Sequence, residues 1–124
     1  MKILSIVFAG LIATLAVAPF SAAAEANLKT VAALNLNKAA LVGQKISAQG
    51  KVVKVNNGIM GRNFLHVQDG TGDAKNNDLA VTSKQTAKVG DQVTISGVVV
   101  LNRDFGSGYA YPLLIEDASI AVKK

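Results

Sequence analysis

The pattern of apolar and polar positions changes twice along the chain. Residues 3–20 form an almost unbroken apolar stretch, residues 27–42 are mixed, and from residue 44 apolar and polar positions largely alternate. Alternation is typical of half-buried β-strands, because successive side chains of a strand point to opposite faces of a sheet. The pattern therefore predicts an all-β domain that follows an apolar leader and a short mixed segment.

Turn signals divide the alternating region into five predicted strands. Asn56-Asn57-Gly58 predicts the end of the first strand, and Asp69-Gly70-Thr71-Gly72 predicts a turn after the second. In the mixed segment, Asn37 is a candidate N-cap for one or two helical turns. The predicted strands cover residues 44–55, 63–69, 79–82, 92–101 and 111–122.

Two of these strands begin with the same pattern. Residues 42–52 and 89–99 both start with Val-Gly and then alternate as far as a glycine within the strand, Gly50 in one and Gly97 in the other. Such a glycine often marks a bulge or sharp bend, which a strand needs in order to curl around a small closed sheet. Five strands without a long helix suit a small barrel or a sandwich, and the two bent strands favour the barrel.

The apolar leader has the organisation of a secretory signal peptide. Lys2 precedes the apolar stretch, and Ala22-Ala23-Ala24 offers a small-residue cleavage site. A membrane anchor is the alternative, but the stretch lacks a stop-transfer pattern and ends in small residues after Pro19. We therefore expect residues 1–24 to be removed and residues 25–124 to act as one periplasmic domain.

Composition narrows the possible chemistry of this domain. The chain has no cysteine, which excludes disulfides, thiol catalysis, cysteine-bound metals and cysteine-linked haem. Without Lys2, twelve Lys and Arg stand against eight Asp and Glu, a net charge of +4. This mildly basic balance suits a polyanionic partner. The positive charges are dispersed, however, so ordinary solubilising charge is an equal alternative.

Two segments of the sequence resemble a known group. Residues 50–55 followed by residues 64–72, ending in Asp69-Gly70-Thr71-Gly72, resemble the first two strands and turn of bacterial OB-fold domains. That group includes anticodon-binding domains of tRNA synthetases and small exported OB-fold proteins. Residues 104–109 and 114–118 are similar to exported members, some of which accompany c-type cytochrome and nitrite-reduction functions. The resemblance, over residues 41–120, implies a five-stranded OB-type Greek-key barrel.

An OB fold binds ligands between the loops that join strands 1 to 2 and strands 4 to 5, over the face of strands 2 and 3. Arginines with aromatic rings suit a chain ligand such as single-stranded nucleic acid, because guanidinium neutralises phosphate and rings stack on bases. The rings could instead simply pack against the core. The first loop and the face beside it offer Arg62, Phe64 and His66, and the second loop offers Arg103, Phe105 and Tyr109, with Tyr111 at its end.

The remaining polar residues do not form a familiar catalytic or metal-binding motif. His66 is the only histidine and lacks the companion ligands of metal or haem sites. Asp69, Asp73 and Asp78 do not have the spacing of a standard calcium loop. We therefore expect no enzymatic activity, no metal and no cofactor.

The sequence leaves three kinds of partner open for a monomeric binding module. The resemblance implies an oligonucleotide-type site, whereas the expected export favours an oligosaccharide, which OB folds also bind. The alternative is a protein-interaction accessory of an exported complex. That role would need a flat apolar patch around Ile59, Met60 and Phe105.

Overall fold

The computed structural model describes residues 27–123 as two short helices followed by five strands. The predicted signal peptide, residues 1–24, lies outside the described residues. Within residues 27–123, no helix has both the length and the apolar character needed to cross a membrane. The elements are α1 (Val31–Leu36), α2 (Lys38–Leu41), β1 (Lys45–Ile59), β2 (Arg62–Gln68), β3 (Leu79–Ser83), β4 (Gln92–Asp104) and β5 (Ala110–Val122).

The five strands form one closed sheet in the order β1-β2-β3-β5-β4, with β4 paired back to β1. All neighbours are antiparallel except β3 and β5, which are parallel and share only two residue pairs, Ala80 with Leu114 and Val81 with Ile115. The prediction of a mostly β, closed five-stranded structure is confirmed. Every strand pairs with two neighbours, and the antiparallel pairing of β4 with β1 closes the sheet.

The repeated sequence pattern has a structural counterpart in the pairing of β1 with β4. Ala48 pairs with Ile95, its own equivalent in the repeat, and Gly50 pairs with Val93. The bonds at the two ends match as well: Gly43 N–H donates to Val99 O, and Gly90 N–H donates to Val52 O, both at 2.8 Å. The two segments are therefore related by a local two-fold axis across the β1–β4 pair.

The glycines within these two strands lie where another strand approaches closely. A Cβ at Gly50 would lie 2.7 Å from the carbonyl oxygen of Gln68, and a Cβ at Gly97 would lie 2.9 Å from that of Glu116. The β4–β5 register shifts between Ser96 and Val98, at Gly97 itself. The predicted bulge is thus present at Gly97, while at Gly50 the requirement is close approach to β2.

The core lies inside the sheet and is covered at one end by α1. Val31 and Leu34 of this helix are fully buried among residues from every strand. Thr30 Oγ1 caps the helix by accepting from Ala33 N–H at 3.1 Å. The buried core comprises Val31, Leu34, Ile46, Ala48, Val52, Leu65, Val67, Leu79, Val81, Ala87, Val93, Ile95, Val99, Leu113, Ile115, Ala118 and Ile120.

The Asp69-Gly70-Thr71-Gly72 turn holds α1 in place. Asp69 Oδ2 accepts from Val31 N–H at 2.9 Å, and Thr71 Oγ1 accepts from Ala32 N–H at 3.0 Å. These bonds satisfy amide groups that the first turn of a helix leaves without an internal partner. The most recognisable motif of the sequence therefore serves the attachment of the helix to the sheet.

Two predicted strand ends are wrong, since β4 continues beyond Leu101 to Asp104 and the end of β1 is also displaced. β1 does not end at Asn56-Asn57-Gly58 but continues to Ile59, and the chain reverses at Met60-Gly61 between the paired residues Ile59 and Arg62. The β1–β2 register shifts between Asn56 and Ile59, so the Asn-Gly signal is used for an irregularity within the strand. Asn37 does precede α2, as predicted, although its side chain makes no capping bond there.

Candidate functional site

Two hairpins converge on the outer face of the sheet. Arg62 begins β2 just after the β1–β2 turn, and Arg103 lies near the end of β4, before the loop that leads to β5. The Cζ atoms of Arg62 and Arg103 lie 4.9 and 4.7 Å from the centre of the Phe105 ring. Guanidinium groups at this distance are attracted to the electron-rich face of an aromatic ring. The two loops predicted from sequence are therefore joined through one ring.

Phe64 lies at the centre of an aromatic cluster. Its ring centroid is 5.2 Å from Phe105, 5.1 Å from Tyr109 and 5.9 Å from Tyr111. Only 1% of Phe64 is exposed, whereas the other three rings are partly exposed. Phe64 therefore supports the other rings from below and offers no open face to a ligand.

This cluster gathers residue types that the rest of the domain lacks. The chain contains two arginines, one histidine, four phenylalanines and two tyrosines, and Phe8 and Phe20 belong to the predicted leader. Every arginine, aromatic residue and histidine of residues 25–124 therefore lies in this one surface region, while the core inside the sheet has only aliphatic side chains. We call the group Arg62, Phe64, His66, Arg103, Phe105, Tyr109, Tyr111 and Glu116 the aromatic–arginine patch.

Glu116 of β5 sets the charge of the patch. Its Oε1 lies 3.6 Å from Nη2 of Arg62 and 3.7 Å from Nη2 of Arg103. The Glu116 side chain is 16% exposed, against 32% for Arg62 and 42% for Arg103. The carboxylate thus lies beneath the two guanidinium groups, and the three side chains together carry one net positive charge.

His66 is fixed by an acidic partner beside the rings. Its Nδ1 lies 2.6 Å from Oδ2 of Asp78, and Gln68 Nε2 donates to the other carboxylate oxygen at 3.2 Å. Burial alone would raise the pKa of Asp78, but the hydrogen bonds and the charges of His66 and Lys54 outweigh it and lower that pKa. Asp78 is therefore ionised at neutral pH.

Tyr111 connects the histidine pair to the aromatic cluster. Its ring centroid lies 6.0 Å from that of His66 and 5.9 Å from that of Phe64. Burial, together with the charges of Tyr109 and Asp78, raises the pKa of Tyr111 above its ordinary value of 10. The phenol is therefore neutral at physiological pH and can donate a hydrogen bond to a ligand hydroxyl or anion.

Backbone strain is concentrated around the patch. Among residues 27–123, four non-glycine residues have positive φ: Met60 (54°), Asn102 (51°), Ser107 (55°) and Asp117 (51°). Each lies within two residues of a member of the patch. Left-handed backbone at non-glycine residues is costly and tends to occur at functional sites, where it helps to aim side chains.

Two hollows are prominent on the described part of the chain, and the smaller one borders the patch. A cavity of about 340 Å³ lies on the β4–β5 hairpin, lined by Asn102, Arg103, Asp104, Ala110, Tyr111 and Pro112. A larger crevice of about 800 Å³ lies between residues 28–30, the middle of β1 and the turn after β2. No ring, arginine or histidine lines the larger crevice, so the chemistry of the domain favours the smaller cavity.

All six site residues predicted from sequence lie in the patch: Arg62, Phe64, His66, Arg103, Phe105 and Tyr109. The sequence pattern does not indicate Glu116 or Asp78 as neighbours of these residues, and it places Tyr111 only at the end of the second loop. Glu116 and Asp78 meet their partners through pairings between distant strands, which no local motif reveals. Within residues 27–123, no three His, Asp or Glu side chains are gathered in a way that could hold a metal ion.

Comparison with known proteins adds no family to this description. No protein-family model matches the chain, and no curated protein matches its sequence.

Proposed function

We propose that this protein is an exported, non-catalytic OB-type binding module whose aromatic–arginine patch holds an oligosaccharide. The main observation in favour of this proposal is that every arginine, aromatic residue and histidine of residues 25–124 lies in one outer region, which spans two hairpins. The strand order β1-β2-β3-β5-β4 supports the OB type, whose ligands bind between these same two loops.

The rings supply a surface that suits a sugar chain. Phe105, Tyr109 and Tyr111 are partly exposed over a buried Phe64. Sugar rings present apolar C–H faces to aromatic side chains, while their hydroxyls hydrogen-bond to polar groups at the rim. Here the rim offers the Tyr111 phenol, His66 and the Asp78 carboxylate, of which Asp78 already binds His66 and Gln68.

The charge of the patch favours a glycan over single-stranded nucleic acid. Two guanidinium groups face one carboxylate, and Asp78 adds a second acidic group nearby whose pKa is lowered. A strand of phosphates gains its affinity mainly from a groove of unpaired positive charge. The patch is only weakly positive, and the expected export also separates the protein from cytoplasmic nucleic acid.

We propose no catalytic role for the Asp78–His66 pair. The Asp78–His66 pair resembles the acid–base half of a catalytic triad, which also requires a nucleophile on the other imidazole nitrogen. His66 hydrogen-bonds to the Asp78 carboxylate through Nδ1 and lies beside the Tyr111 ring, and in the described part of the chain no hydrogen bond joins its Nε2 to a hydroxyl group. We therefore assign this pair to ligand positioning.

The protein-interaction alternative fits the surface less well. It needs a flat apolar patch, yet two guanidinium groups lie over the Phe105 ring. Met60 is 44% exposed, but it stands at the tip of the β1–β2 turn. The region is therefore polar and uneven rather than flat and apolar.

The test is a binding titration against two ligand classes. The protein is produced from the full chain in an exporting host, and it is titrated with a panel of fluorescent oligosaccharides and with single-stranded DNA. We expect glycan binding that changes little between about 50 and 200 mM salt, because few phosphate-like contacts are involved. Tyr109→Ala should weaken binding at least tenfold, since it removes one stacking face.

The control variant is Lys38→Ala with Lys88→Ala, which removes two positive charges from α2 and from the β3–β4 loop. It should bind like the unaltered protein. DNA binding that falls steeply with salt, with no glycan binding, would replace the glycan proposal with the nucleic-acid one. Binding of neither class would exclude the proposed function.

A further inference from the structure

The two arginines are held in place by more than their ion pairs with Glu116. Both guanidinium groups lie over the Phe105 ring, at 4.9 and 4.7 Å, and Arg62 also reaches the carbonyl oxygen of Met60 at 3.4 Å. The ring and the carboxylate therefore hold the two positive charges side by side. Such an arrangement is ready to receive an anion without large side-chain rearrangement.

The distances to Glu116 leave hydrogen-bonding capacity on both guanidinium groups. Separations of 3.6 and 3.7 Å are ion pairs but exceed the 2.7–3.2 Å range of a direct N–H···O bond. Each guanidinium has five N–H donors in a planar fork, which matches the two oxygens of a carboxylate. Because Glu116 lies deeper than either arginine, the donors on the outer side face the solvent.

We propose that this outer edge is a subsite for one carboxylate of an acidic sugar, so that the glycan bound by the patch contains uronic acid residues. The proposal rests on the proposed function and names its ligand class. Tyr109 and Tyr111 receive the sugar rings, and Arg62 and Arg103, which lie over the Phe105 ring, receive the carboxylate of one unit.

Glu116 is the specificity-determining residue of this subsite. One internal negative charge beneath two positive ones leaves a single positive charge for the ligand to neutralise. A sugar carboxylate carries one negative charge, whereas a phosphate monoester carries nearly two at neutral pH. The internal carboxylate therefore matches the subsite to a singly charged group and disfavours a doubly charged one.

The experiment uses a probe pair with the same sugar rings: an oligogalacturonate and its methyl ester, in which each charged carboxylate is replaced by a neutral ester. The unaltered protein should bind the acid form at least tenfold more tightly than the ester. Glu116→Gln should tighten binding of the acid form about threefold to tenfold, because it removes a like charge close to the ligand, and should leave binding of the ester unchanged.

Asp117→Asn is the matched control. It makes the same change of charge and shape on the adjacent residue, which is exposed, and asparagine tolerates the left-handed backbone that Asp117 adopts. This variant should bind both probes like the unaltered protein. An equal gain in Glu116→Gln and Asp117→Asn would mean that net charge alone acts, and would overturn the role of Glu116.

The remaining outcomes separate the subsite from the proposed function. Equal binding of acid and ester by the unaltered protein would overturn the carboxylate subsite and leave glycan binding standing. Weaker binding of both probes by Glu116→Gln would show that Glu116 only positions the arginines, and would also overturn the inference. Failure of every glycan in the wider panel would instead remove the proposed function itself.

Discussion

At the scale of single residues, the requirement for glycine in β4 is steric. A Cβ on Gly97 would lie 2.8 Å from Cγ2 of Ile115 and 3.0 Å from the Cα of Ala118. Gly43 presents the opposite case, since its φ is +82° but nothing lies within 4 Å of its added Cβ. Glycine is thus used for close packing inside the sheet and for left-handed backbone in the turns.

The first prediction compares these two glycines. Gly97→Ala should lower the free energy of unfolding by about 1–3 kcal/mol, because β5 must move away from β4 to admit the methyl group. Gly43→Ala should cost about 1 kcal/mol, the strain of left-handed backbone alone. Urea unfolding of both variants measures the difference. An unchanged midpoint for Gly97→Ala would contradict the close approach of β4 and β5.

At the scale of elements, the attachment of α1 depends on a turn 38 residues away in sequence. Asp69 binds Val31 N–H through Oδ2 and both polar groups of Thr71 through Oδ1. Burial alone would raise the pKa of Asp69, but these hydrogen bonds outweigh it and place the pKa below the ordinary 3.8. The folded state is therefore more stable when the Asp69 carboxyl group is ionised than when it is protonated.

The lowered pKa of Asp69 determines how the free energy of unfolding should change with pH. Because the folded pKa is depressed, the contribution of Asp69 is fully present above its unfolded pKa and is lost as the pH falls through the folded pKa. Asp69→Asn should cost about 1 kcal/mol at neutral pH, as expected for loss of a helix cap. The difference in unfolding free energy from the unaltered protein should shrink below about pH 4.

The measurement is chemical unfolding from neutral pH to about pH 3, followed by circular dichroism. Asp73→Asn serves as the control, since Asp73 lies on the same loop but is exposed and does not contact the helix. It should follow the unaltered protein at every pH. A constant difference between Asp69→Asn and the unaltered protein across this range would show that ionisation of Asp69 does not stabilise the cap.

The sequence predicted those elements whose signals are local. Alternation placed all five strands, and the shared Val-Gly start with Gly50 and Gly97 indicated that two of them bend. The same local reasoning failed at Asn57-Gly58, because pairing with β2 extends β1 through this signal and moves the turn to Met60-Gly61. It also misses α1, although Thr30 is a normal N-cap, because the mixed pattern of residues 27–42 indicates a single helical region that begins after Asn37.

The candidate site, like the fold, could be predicted from the sequence only where the signals are local. The loops with their arginines and rings could be predicted from residue types and from the expected OB-type fold, in which two such loops lie close together. The burial of Phe64 could not be predicted in this way. Nor could the acidic partners of Arg62 and His66, because Glu116 and Asp78 approach these two residues only after the sheet has closed. Charge at the site is therefore a property of the tertiary structure.

At the scale of the whole molecule, the seam between β3 and β5 is the least regular part of the sheet. Beyond its two residue pairs, side chains of β3 and the following residues bind the backbone of β5: Ser83 Oγ donates to Ala118 O, Thr82 Oγ1 accepts from Asp117 N–H, and Gln85 Oε1 accepts from Ile120 N–H. The aromatic–arginine patch crosses this seam on the outer face, since Arg62 and Phe64 of β2 contact Glu116 and Tyr111 of β5. The patch thus helps to close the sheet as well as to present ligand contacts.

The last prediction tests this seam with Ser83→Ala. Ser83 is 2% exposed, and its hydroxyl makes a 2.5 Å bond to the Ala118 carbonyl oxygen while also accepting from Gln85 N–H. Removing the hydroxyl leaves a buried carbonyl oxygen without that donor, so the unfolding free energy should fall by about 1–3 kcal/mol.

Amide hydrogen exchange of residues 118–120 should accelerate more than that of the β1–β4 pair, because local opening begins where pairing is weakest. Ser119→Ala is the matched control: it removes an exposed hydroxyl from the same strand and should change neither quantity. A bound glycan that bridges the patch should slow the same exchange in Ser83→Ala, since its contacts would join β2 to β5 over the seam. Uniform acceleration across all strands would instead mean that the sheet opens as one unit and that the seam has no separate weakness.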